Sequence, residues 1–85
     1  MRPIPKAGQT YRHFKGLTVQ IIATAVHTET NERLVIYRHG SDVWARPLDM
    51  FMGEVDKEKY PEVNQKYRFE EIIVPFNNQE GGTDL

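Results

Sequence analysis

Residues 19–47 read VQIIATAVHTETNERLVIYRHGSDVWARP, and this stretch limits what the chain can become. Its apolar runs, at 19–26, 34–37 and 43–45, are rich in β-branched and aromatic residues, which suit a pleated surface. Between them, 28–31 and 39–42 carry the Asn, Gly, Ser and Asp that turns use. The pattern predicts an antiparallel meander of three strands.

Flanking segments extend the meander. Pro3 and Pro5 restrict residues 1–7 to an extended arm. Residues 10–14 read as a short strand, and Lys15-Gly16 reverses or kinks the chain. In the long strand 18–27 the odd positions Val19, Ile21, Ala23 and Ala25 are all apolar, whereas Gln20, Ile22, Thr24 and Val26 are mixed. The odd positions are therefore expected to face the core. The next run sets Leu34 and Ile36 on one face and Val35 and Tyr37 on the other. Pro47 ends the third run. Residues 48–52 are too few for an independent helix, so one helical or 3-10 turn should lay Leu48, Phe51 and Met52 on the core. YRFEEIIV, residues 67–74, reads as a last strand with a bulge near Glu70-Glu71. The expected class is all-β: a small, strongly bent antiparallel barrel with one short helical or 3-10 turn. Residues 1–76 should form a single domain and 77–85 a flexible tail.

Composition narrows the function. At 85 residues the chain suits one domain with a small core. The absence of cysteine excludes disulfides, thiolate nucleophiles and cysteine-rich zinc sites. No apolar run approaches the roughly 20 residues of a membrane span, and MRPIPKAGQ lacks the apolar stretch of a secretory signal, so a cytoplasmic protein is expected. Net charge is −1, divided as +3 over residues 1–50 and −4 over 51–85. Either the halves attract each other in the fold, or the first half offers a mildly basic face to an acidic partner.

Catalytic groups are sparse. His13, His27 and His39 are far apart, each at or beside a turn, so no metal site is expected. Ser41 lacks the Gly-x-Ser-x-Gly elbow, which weakens a triad with His27 and Asp42 or Asp49. Glu29 and Glu32 lie in a loop, and no glycine-rich phosphate loop is present, so no cofactor is expected. Aromatic residues are more suggestive. Tyr11, Phe14, Tyr37, Trp44, Phe51, Tyr67 and Phe69 interleave with Arg12, Arg38 and Arg46. Such a set can stack on bases and hold phosphates, or form a core with a charged rim. Tyr37 and Trp44 stand out as binding candidates, although closing the barrel is the favoured role for the large Trp44 ring. Arg46 and Asp49 could pair across Pro47-Leu48.

The segments YRHFKG at residues 11–16, AVHTETNERLVIYR at 25–38 and VWARPLDMF at 43–51 resemble the small bacterial family numbered 1653 among the domains of unknown function. The resemblance covers about two-thirds of the chain. It implies an SH3-like small barrel and carries no activity, substrate or cofactor. Among the matched residues, it marks the polar His13, Lys15, His27, Thr28, Glu29 and Arg46 as site candidates.

These readings together favour a non-catalytic binding or adaptor module that recognises a protein or peptide. The alternatives are a nucleic-acid-binding, RNA-type small barrel, a small enzyme, or a structural homodimer. They differ in what they require. Nucleic-acid binding needs Arg12, Lys15, Arg38 and Arg46 on one face around an exposed aromatic. Catalysis needs His13 or His27 beside Glu29, Asp42 or Asp49 in a concave pocket. Peptide binding needs an apolar groove at Trp44 or Tyr37, or an unpaired strand edge.

Overall fold

In a computed structural model, which describes residues 2–73, the chain forms five strands and one short helix. The strands are β1 (Thr10–His13), β2 (Thr18–Val26), β3 (Arg33–His39), β4 (Asp42–Pro47) and β5 (Phe69–Glu71), and helix α1 spans Leu48–Met52. The antiparallel sheet has the order β4-β3-β2-β1-β5. The expected meander is present as β2-β3-β4. The predicted tail at 77–85, and the end of the predicted last strand at Val74, lie outside the described residues.

The sheet does not close, so the expected bent SH3-like barrel is not what the chain forms. Closure would require β4 to pair with β5, and these are the two outer strands of an open sheet. β5 is only three residues long, and β4 runs directly into α1, whose Phe51 packs in the core against Phe69. Arg46 on β4 and Phe69 on β5 face one another through side chains, with the guanidinium carbon 5.4 Å from the ring centre. The seam of a barrel is here an open groove.

The core lies on one face of the sheet. Tyr11, Val19, Ile21, Val35, Tyr37, Phe51 and Phe69 are buried together, with Leu48 and Met52 packed against them. Phe51 is fully enclosed. Its ring stacks on Phe69 at 4.1 Å between centroids and meets Tyr11 edge-on at 5.3 Å. The alternation expected for β3 holds, with Val35 and Tyr37 buried. The short helix also docks Leu48, Phe51 and Met52 as expected.

The reading of β2 is only half right. Val19 and Ile21 are buried, but Ala23 and Ala25 are exposed. The register explains this: Ile21 pairs with Tyr37 and Ala23 with Ile36, so Ile22 is an extra, bulged residue. A bulge shifts the inward set by one position. Beyond it Thr24, opposite Val35, takes the core face, while Val26 at the strand end stays exposed. The bulge expected at Glu70-Glu71 is absent: β5 pairs with β1 in unbroken register, and Ile73 is exposed.

The N-terminal arm is tied to the core by contacts with no local sequence signal. Arg2 donates Nη1 to the Met52 carbonyl at 2.9 Å and Nη2 to the Phe69 carbonyl at 2.6 Å. Its guanidinium also lies 3.8 Å above the Tyr67 ring. Farther along, Glu54 bridges to Tyr67, and the neighbouring Val55 is buried.

The β3–β4 turn places Gly40 at φ 63°. An added Cβ there would meet no atom within 4 Å, so substitution is opposed by backbone conformation alone. Gly40→Val should therefore cost about 1–2 kcal/mol, the left-handed penalty for an L-residue. Urea denaturation checks this, and an unchanged midpoint would show that the turn can adopt another form.

Candidate functional site

The open seam forms a concavity between the two outer strands. It has two parts that share His13 and Arg46. The apolar part, about 260 Å³, is lined by Leu17, Val19, Tyr37, Trp44 and Phe69, with His39 at its rim. The basic part, about 350 Å³, is lined by Lys15, Lys59 and Arg68, with Phe14, Tyr60 and a single carboxylate, Asp56.

Strand pairing builds this arrangement. Trp44 stands opposite Tyr37 across the β3–β4 ladder, and Arg46 opposite Val35. Two residues along β3 from Tyr37, His39 shares its face. His13 stands opposite Phe69 across β1–β5, and their rings meet edge-on at 4.8 Å. Arg46 donates Nε to the Tyr37 hydroxyl at 3.3 Å, rather than pairing with Asp49. Among the described residues its Nη groups find no acceptor. Trp44 is 52% exposed, so it neither closes a barrel nor joins the core.

The two histidines present opposite chemistry. His13 Nδ1 accepts the Lys15 backbone N–H at 3.1 Å, which requires the neutral ring with its proton on Nε2. His39 Nδ1 lies 3.1 Å from the Thr18 carbonyl, an acceptor only, so Nδ1 carries the proton there. Burial lowers the His13 pKa below 6.5, and the charges of Arg46, Lys15 and Arg68 lower it further. Asp56 and Lys59, of opposite sign, line the same basic hollow.

Folded His13 thus holds a proton less tightly than the unfolded chain does. Its contribution to stability is complete above about pH 6.5 and is lost as the pH falls through the lower folded value. An NMR titration of the His13 ring should give a midpoint below 6.5, whereas a midpoint above it would contradict this electrostatic picture.

The candidates drawn from the sequence divide into three places. His13, Tyr37, Trp44 and Arg46 meet in the groove, and Lys15 lies in its basic part. His27, Thr28 and Glu29 sit at the opposite end of the β2–β3 hairpin, which at about 3.4 Å per residue is on the order of 25 Å away. There His27 Nδ1 accepts the backbone N–H groups of Glu29 and Thr30 at 3.1 and 3.4 Å. These bonds order the turn. Leu17, His39 and Phe69 were missed as groove residues. The period of two from Tyr37 could have found His39, but nothing local marks the others.

Of the four basic residues grouped for nucleic acid, Lys15 and Arg46 meet in the basic hollow, but Arg12 and Arg38 do not join them. Arg12 and Arg38 each neighbour buried or groove-facing residues in their strands and so take the opposite face from Arg46. Arg12 stands opposite Glu70. The carboxylates required for catalysis, Glu29, Asp42 and Asp49, do not line either part of the groove. Among the described residues no group of three or more His, Cys, Asp or Glu could hold a metal ion, and no helix is long and apolar enough to cross a membrane.

Neither the curated proteins nor the solved structures contain a match to this chain. A family model does match, over residues 9–71, a span that runs from the start of β1 to the end of β5 and so contains every strand that frames the groove. The chain belongs to the family described as protein of unknown function (DUF1653).

Proposed function

We propose that the domain is a peptide-binding module whose groove takes an extended segment of a protein partner. The observation that carries this reading is Trp44, half exposed in an apolar hollow on an outer strand. An aromatic ring that is neither in the core nor covered is a typical binding anchor. At about 260 Å³ the apolar hollow is below the usual range of small-molecule sites and suits one or two side chains. Among the described residues β4 has a neighbour, β3, on one side only. Its other edge offers backbone groups for strand addition, with the anchor side chains projecting from the same strand.

Selection of a displayed random-peptide library against the immobilised domain, followed by a ¹H–¹⁵N NMR titration, tests the reading. The expected footprint is Leu17, Tyr37, His39, the Trp44 indole N–H and the β4 backbone, persisting at moderate salt. Failure to select any peptide, or a footprint centred on Arg12 and Arg38, would overturn it.

A further inference from the structure

We infer that the partner segment is acidic: an apolar side chain seats against Trp44 while a carboxylate from the same peptide seats in the basic part of the groove. This rests on the peptide-binding reading and adds the chemistry of the partner.

Charge placement carries the inference. The chain as a whole is at −1, yet the hollow beside the anchor gathers Lys15, Arg46, Lys59 and Arg68. Among the described residues that line it, Asp56 alone opposes them. That carboxylate is partly committed, since its Oδ1 accepts the backbone N–H groups of Glu58 and Lys59 at 3.0 and 3.3 Å. Arg46 is partly buried, and its guanidinium is held by the Tyr37 hydroxyl. Its Nη groups, without an acceptor among the described residues, form a ready donor pair for a carboxylate. Lys15 is exposed, with Nζ 5.9 Å from the Phe14 ring centre and 5.6 Å from that of Tyr60. His13, shared by both parts, adds a neutral Nε2–H donor. Burial is the main cause of its lowered proton affinity, and the charges of Arg46, Lys15 and Arg68 add to it.

Other anions fit less well. A nucleic-acid backbone repeats its charge and needs a long basic track. Here Arg12 and Arg38 point to the far face, and the surface adjoining the hollow is apolar. One or two carboxylates beside an apolar residue match a small cationic hollow beside an apolar one.

The test uses two displayed hexapeptide libraries. Both fix one apolar residue; one admits Asp and Glu, and the other replaces them with Asn and Gln. The best carboxylate peptides should bind at least about tenfold more tightly than their amide counterparts, as expected for one charge-assisted pair. The gap should narrow in Lys15→Gln and in Arg68→Gln, two separate variants that guard against a folding defect in either, and it should shrink as salt is raised.

Amide peptides that bind within twofold of the carboxylate ones, with the Trp44 footprint intact, would overturn the acidic partner and leave peptide binding standing. A tenfold gap that persists in both variants would also overturn it. Tighter binding of a hexauridylate than of the best carboxylate peptide, with shifts at Lys15, Arg46 and Arg68, would replace the peptide by RNA. Absence of binders from both libraries would overturn peptide binding itself.

Discussion

Replacing Phe51 with alanine should destabilise the domain by about 3–5 kcal/mol, the usual loss when a buried phenylalanine is truncated. The ring has no solvent exposure. It stacks on Phe69 with an interplanar angle of 9°, meets Tyr11 edge-on, and lies 5.7 Å from Tyr37. Truncation would remove the centre of an aromatic cluster that joins β1, β3 and β5. Its neighbours are held by strand pairing and by the two Arg2 hydrogen bonds, so they cannot collapse into the void. A chain of 85 residues has a total stability of roughly 4–13 kcal/mol, so this single change should consume a large part of it. Urea unfolding followed by far-UV circular dichroism gives the value. A loss below about 1 kcal/mol would mean that Phe51 is not the centre of the core.

The sequence showed local pattern well and long-range closure badly. That Val35 and Tyr37 share one face of β3 and Leu34 and Ile36 the other was readable, but which pair is buried was not, because all four are apolar. The docking of α1 was readable because Leu48, Phe51 and Met52 follow Pro47 at helical spacing. Ile22 could not be recognised as a bulge. One extra residue leaves only a broken alternation, and that also describes a strand buried on both faces. Whether the sheet closes depends on β4 and β5, whose pairing has no local signal, and β5 is too short to announce itself. Arg2 is a similar case, since its partners are 50 and 67 residues away in sequence.

The candidate site was legible to the same extent and for the same reason. Tyr37, Trp44 and Arg46 belong to one hairpin, so their shared face follows from the turn and the period of two. Phe69 enters from the far edge of the sheet and could not be placed. His27, Thr28 and Glu29 looked functional because they are polar residues in a distinctive segment. The structure gives His27 a local task, accepting turn N–H groups, of the kind that favours such residues in loops.

Trp44→Ala should reduce peptide affinity by about 30-fold or more, the effect of losing an anchor worth about 2 kcal/mol. The same change should barely alter stability. With 52% of the residue already exposed and no place in the core cluster, truncation leaves no cavity. Phe51→Ala is the opposite case: it weakens binding only by unfolding the domain, and its affinity loss should follow the folded fraction. Trp44→Phe should recover most of the affinity, because an aromatic face remains beside Tyr37 on the paired strand. Isothermal titration calorimetry on the selected peptide, run beside a thermal melt of each variant, separates the two effects. A Trp44→Ala variant that binds at full strength would remove the anchor, and with it the main reason for reading the groove as a peptide site. A variant that melts far below the parent would instead return Trp44 to the structural role that its large ring first suggested.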